Sequence, residues 1–181
     1  MPRTCRGDGQ DGIFHVGTRG NNRKDIYMDE GDRLRFEFLL AKVAKKYRWI
    51  LQAYCLMGHH YHLLVRAGID DLSAGMRVLN GGYAQSFNRR HGRGGHLFGE
   101  RFWSDVIETE EHLLECMRYI ANNPVRSGFC SGPEAWPWGS YRALAGYEPA
   151  PSHLAVAETL SLFGNESSRA AQRFRSFVAD R

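Results

Sequence analysis

A chain of 181 residues, 43% hydrophobic and 24% charged, is long enough to bury one core, and its net charge of +4 leans toward an anionic partner without requiring one. No run approaches the roughly 18 consecutive apolar residues that a membrane-spanning helix needs, and the opening MPRTCRGDGQ lacks the apolar stretch of a secretory leader. Cys5, Cys55, Cys116 and Cys130 are scattered, form no CxxC pair and read as reduced thiols of a cytoplasmic protein.

In chain order, GIFHVGT (12–18) alternates Ile13, His15 and Gly17 against Phe14, Val16 and Thr18, which predicts a strand. The polar RGNNRKDIY that follows is a loop rich in turn formers. From Asp32 to Tyr47, Leu34, Phe38, Ala41 and Lys45 recur at helical spacing beside Leu39, Leu40 and Val43, which predicts a helix. WILQAYCLM and HHYHLLVRA read as two strands with Gly58 near their turn. Leu72, Met76, Leu79, Tyr83 and Phe87 mark a second helix, although Gly81 and Gly82 each cost it about 1 kcal/mol against alanine. RFWSDVIE is a fourth strand. TEEHLLECMRYIANNP is a third helix, with Thr109 as N-cap, Glu110 and Glu111 at its positive end and Pro124 as its stop. GPEAWPWGS is a turn, and the remainder, including LAVAETLSLFG and RAAQRFRSFVAD, is helical in pattern.

Strand, helix, strand, strand, helix, strand is the order of a ferredoxin-like, RRM-like α+β fold: one antiparallel sheet with helices on one face, followed here by C-terminal helices. That plan serves RNA-binding domains, metal-binding domains and enzymes alike, so the site has to decide.

The stretch CLMGHHYHLLV (55–65) gathers three histidines. On a strand, His60 and His62 point to one face and Tyr61 to the other, with about 7 Å between the histidine Cα atoms. Such a pair can converge on one ion, while His59, on the side of Tyr61, is not placed to join them. Two plainer readings stay open here: edge-strand histidines hydrogen-bonded to their neighbours, or a structural zinc site using Cys55. The latter finds no zinc-finger spacing and no second Cys/His pair downstream.

The third helix carries Tyr119 and Asn123 four residues apart, stacked on one face and off the stripe of Leu113, Leu114, Met117 and Ile120. An Asn carbonyl and two neutral imidazoles suit Mg²⁺ or Mn²⁺ with positions left for phosphate oxygens. A phenol is a weak nucleophile at its ordinary pKa of about 10, and a nearby divalent ion favours the phenolate. Taken alone, RYIANNP is equally a helix end with a packing Tyr and a capping Asn.

With these segments in view, the chain resembles the single-tyrosine transposases that carry a His-hydrophobic-His strand, and within them the REP-associated tyrosine transposases of bacteria. The resemblance runs over roughly residues 12 to 178, through HVGTRGNNRKDIY, LMGHHYHLLV, LSAGMRVLNGGYAQSFNRRHGRGGHLFGERFWSDVI, LLECMRYIANNPVRSGF, WPWGSYRA and RFRSFV. Two positions depart from the family pattern: His59 stands where an Asn is usual, and Asn122 where an apolar residue is.

The resemblance implies that His60, His62 and Asn123 ligate Mg²⁺ or Mn²⁺ and that Tyr119 is the nucleophile. The substrate would be single-stranded DNA folded as a REP-type hairpin. Tyr119 would attack a phosphodiester, form a 5′-phosphotyrosine and free a 3′-OH, which a second 3′-OH can reverse. Residues 10–148 would form the catalytic domain and 149–181 a helical extension. A monomer is favoured over a dimer, in a nucleoid-associated bacterial protein.

The basic segments agree on their own terms. TRGNNRK supplies Arg19, Asn21, Asn22, Arg23 and Lys24 without an acid, and NRRHGRGGHLFGER supplies Asn88, Arg89, Arg90, Arg93 and Arg101 with one acid. With Arg77 of the second helix, these are candidate DNA contacts: cations for phosphates, Asn amides for base edges. His96, Phe98 and Trp103 can stack on unpaired bases. The competing readings are solvated loops, a nucleic-acid-binding module without chemistry, and a relaxase or replication initiator. Relaxases bring a third ligand histidine and an N-terminal tyrosine, and neither is present here.

Overall fold

The computed structural model describes residues 11–180; Cys5 and the rest of the N-terminal decapeptide lie outside them. β1 (Asp11–Arg19), α1 (Glu30–Lys46), β2 (Ile50–Leu56), β3 (His60–Gly68), α2 (Ile69–Arg90) and β4 (Trp103–Ile107) follow the predicted order. The sheet runs β2-β3-β1-β4, and every pairing is antiparallel.

α1 and α2 lie together on one face. Tyr61 of β3 packs into them, its ring 4.7 Å from that of Phe36. Its hydroxyl bonds Asn80 of α2 and Thr18 of β1, closing a triangle in which Asn80 Nδ2 donates to Thr18 Oγ1 at 3.0 Å. Buried polar groups satisfied in this way cost the core little. α2 buries Leu72, Met76, Leu79, Tyr83 and Phe87, the residues its spacing marks, and runs unbroken through Gly81 and Gly82.

α1 departs from the pattern read along its sequence. Its buried face is Asp32, Phe36, Leu40, Val43 and Ala44, whereas Leu34 and Phe38 are exposed. Two apolar rows share this helix. The one that faces the sheet is the one that meets Tyr61; on the outer row, Arg35 and Lys42 cover the Phe38 ring at 5.3 and 4.4 Å.

α3 (Glu110–Arg126) crosses the opposite face of the sheet. Thr109 caps it, Oγ1 accepting from His112 N at 3.1 Å. Pro124 does not stop it, because the helix ends two residues later. A proline this near a C-terminus forfeits one backbone bond, and the N–H groups of Ser127, Gly128 and Phe129 turn back onto the carbonyls of Asn123, Val125 and Pro124. After it come α4 (Tyr141–Leu144), α5 (Val156–Ser161) and α6 (Ser167–Ala179). α6 docks on α3, where Arg118 Nε donates to the Phe177 carbonyl and Asn122 Nδ2 to that of Val178, each at 3.0 Å. Asn122 is thus, with Arg118, one of two side-chain ties between α3 and the C-terminal helix. Cys55, Cys116 and Cys130 are free thiols.

Candidate active site

Strand register gathers the site. Across the β1–β3 pairing Arg19 faces His60 and Gly17 faces His62; across β1–β4 Gly17 faces Trp103 and His15 faces Asp105. Partners across a ladder share a face, so His15, His60, His62, Trp103 and Asp105 all look toward α3. β3 is an interior strand, which removes the edge-strand reading of its histidines. Gly17 is required here: a Cβ would stand 2.5 Å from the Tyr61 carbonyl oxygen and 2.6 Å from the Trp103 ring.

α3 lays Tyr119 and Asn123 over this surface. Asn123 is buried and its Nδ2 lies 3.3 Å from His62 Nε2. The Tyr119 ring is 5.3 Å from that of His62 and 5.8 Å from that of His15, and stays 36% exposed. His60 and His62 rings are 5.0 Å apart at 87°. The cleft they open, about 510 Å³, also reaches Glu115 and His112. All four predicted catalytic residues therefore meet, from two segments some sixty residues apart in one chain.

Burial is the main cause of low histidine pKa values here. It takes His60 to about 4 and His62 to about 2, the neighbouring imidazoles adding to the effect. At neutral pH both rings are uncharged and keep a lone pair. His60 Nδ1 is buried with no hydrogen-bond partner, one of several such atoms among the described residues. His62 Nδ1 lies 3.0 Å from His15 Nε2, which leaves Nε2 for the cleft. The Asn123 amide can present either Nδ2 or, after a half-turn, Oδ1. These residues fit a divalent ion held by two imidazoles and an amide oxygen. Among the described residues no group of three or more His, Cys, Asp or Glu is placed to hold a metal, and Cys55 is buried with its thiol directed at Met57; the zinc alternative thus lacks its ligands.

The predicted DNA contacts divide. Arg19, Asn21, Asn22, Arg23 and Arg101 line one groove with Trp103, and Arg77 joins Arg101 in a second cleft beside α2. Lys24 is exposed at the loop's end. The cluster after α2 does not present itself as expected. Arg90 is held by Asp29, at 2.7 and 2.8 Å, and by Asp32 at 2.5 Å. Its charge is already met by carboxylates, so the expectation of a phosphate-facing Arg90 is corrected. Asn88 spends its amide on the Gly95 carbonyl at 2.9 Å, Arg93 lies over the Phe87 ring at 5.5 Å, and Arg89 is exposed without an ion pair among the described residues.

A family model described as Transposase IS200 like matches residues 10–123, more than half of the chain. The chain belongs to this family. A Haemophilus influenzae protein provisionally assigned as a REP-associated tyrosine transposase is 24% identical over 117 residues, 59% of this chain and 66% of that protein. The match thus spans just under two thirds of that relative. A solved structure of a REP-associated tyrosine transposase bound to a REP hairpin superposes with a TM-score of 0.63 at 22% identity, over 86% of this chain and 90% of that one. That likeness establishes the shared fold.

In this member of the IS200-like transposase family the sequence hid five residues of the cleft lining. His15 comes from β1, Asp105 from the edge strand β4, and His112, Glu115 and Cys116 from α3, and their meeting depends on register and on where α3 crosses. The one signal available was His15 in the same alternating set as Gly17.

Proposed function

We propose that this transposase cuts and rejoins single-stranded DNA beside an imperfect hairpin, through a covalent link to Tyr119. The observation that carries the reading is the convergence of an exposed tyrosine with a buried Asn and two neutral histidines, all within one chain. A packing tyrosine would be covered, whereas Tyr119 opens onto the cleft.

His60, His62 and Asn123 would hold Mg²⁺ or Mn²⁺, which when bound polarises the scissile phosphate and favours the phenolate. The chain's own part is positional. Tyr119 Oη attacks phosphorus; the bond to the 3′ oxygen breaks, leaving a 5′-phosphotyrosine and a free 3′-OH. Attack by a second 3′-OH returns the phosphoryl group to DNA and the phenol to its resting form, so bond energy is conserved. Arg19, beside His60 in the register, faces the same cleft and suits a flanking phosphate. His15 acts through His62: by accepting from its Nδ1–H it would hold the tautomer that keeps Nε2 free, a positioning role common around metal-bound histidines.

The REP-type hairpin as substrate rests on the relatives' assignments and on the basic groove beside the cleft. Completion of the site from one chain supports action as a monomer. A module that only binds DNA would not need an exposed phenol set beside two neutral imidazoles and a buried Asn. The test is incubation with a labelled library of single-stranded hairpins and Mg²⁺. Covalent protein–DNA adducts and joined strands are expected; binding without either would favour the binding module.

A further inference from the structure

The geometry points to a separate subsite for an unpaired nucleobase, in the cleft between α2 and residues 95–104. This deepens the proposed function and rests on it. The cleft measures about 840 Å³, within the roughly 300–1,000 Å³ range of small-ligand sites. Phe98 and Phe102 give it aromatic surface, and Arg77, Arg101 and His96 give it donors and cations, against one carboxylate, Glu100. Neither Arg77 nor Arg101 takes part in an ion pair among the described residues. Aromatic surface with unpaired arginines is the chemistry that holds a base by stacking and its phosphate by charge.

The cleft is connected to the tyrosine. It shares Gly99, Glu100 and Arg101 with the groove lined by Asn21 and Asn22, and that groove shares Arg19 and Trp103 with the catalytic cleft. A single strand can thus pass from Tyr119, around the β4 edge of the sheet, to α2.

α2 carries an independent sign. Gly81 and Gly82 sit mid-helix, where glycine is disfavoured, yet a Cβ at either would meet nothing within 4 Å. Packing does not require them. Gly81 lines the cleft and Gly82 does not. At Gly81 the missing side chain keeps the cleft open to an occupant that is not part of the protein.

The two glycines make the test. Gly81→Ala, Gly81→Leu and Gly82→Ala should each raise the Tm by roughly 2–4 °C, as expected for relieving a helical glycine in a domain of this size. Gly81→Leu should weaken binding of the best hairpin from a single-stranded library with unpaired flanks by about tenfold, the order of one stacked base, while Gly82→Ala binds like wild type. Replacing each unpaired nucleotide in turn by an abasic site should find one position where wild type loses the same factor and Gly81→Leu loses nothing more. Equal binding by Gly81→Leu and wild type overturns the subsite but leaves the tyrosine chemistry standing. So does weaker binding with no coupled abasic position, or a change in sedimentation that marks the cleft as a contact between copies. Failure of wild type to bind any hairpin overturns both.

Discussion

His15 and His62 meet nitrogen to nitrogen, His15 Nε2 lying 3.0 Å from His62 Nδ1, on neighbouring strands beneath Tyr119. One ring must donate and the other accept. If His62 donates, its Nε2 keeps the lone pair that faces Asn123 and the cleft.

His15→Phe, which keeps a ring beside Trp103 but removes the acceptor, should therefore weaken Mn²⁺ binding by roughly 10–100-fold, the usual cost of losing such a partner. His15→Gln, which restores an acceptor oxygen, should recover part of it. Titration calorimetry of the DNA-free protein reads this without any activity assay. Unchanged affinity in His15→Phe would remove the positioning role.

Gly17→Ala should destabilise the fold by about 1–3 kcal/mol, the range for overpacking a core. The added Cβ would stand 2.5 Å from a backbone oxygen and 2.6 Å from the Trp103 ring. Urea denaturation checks this; wild-type stability would contradict it.

The two adjacent arginines at the end of α2 should behave oppositely. Arg90→Ala removes a partner of Asp32, which is 2% exposed, and should lower stability. Asp32 keeps His91 and the Met28 N–H, so the fold survives. Arg89→Ala should leave stability alone and lower the salt slope of DNA binding by about one unit. Identical effects of the two substitutions would refute this division.

Asn21 and Asn22 line the groove beside Trp103 and should read bases rather than phosphates. Asn22 holds a left-handed backbone, φ 54°, so Asn22→Gly removes the amide without strain; Asn21→Ala serves at its neighbour. Each should reduce discrimination between cognate and scrambled hairpins by roughly 1–3 kcal/mol with little change in salt slope. Anisotropy across a salt series measures both quantities, and equal loss for both DNAs would contradict base reading.

Much of the fold was legible because α2 and α3 have one apolar stripe each and the strands alternate. α1 was not, since Leu34 and Phe38 recur as regularly as Phe36 and Leu40, and only the position of Tyr61 chooses between the rows. The pairing of Tyr119 with Asn123 and of His60 with His62 followed from local periods of helix and strand. His15 and the capture of Arg90 by Asp29 and Asp32 did not, because each depends on contacts between segments distant in sequence. Pro124 misled for a different reason: a helix in its last turn can lose one hydrogen bond and continue.

The central claim is that Tyr119 becomes covalently joined to DNA. The most direct measurement is mass spectrometry of peptides from the protein incubated with a single-stranded hairpin library and Mg²⁺. A 5′-phosphonucleotide on Tyr119 is expected, absent in Tyr119→Phe although that variant still binds the hairpin. An adduct on another residue, or one that persists in Tyr119→Phe, would contradict the account.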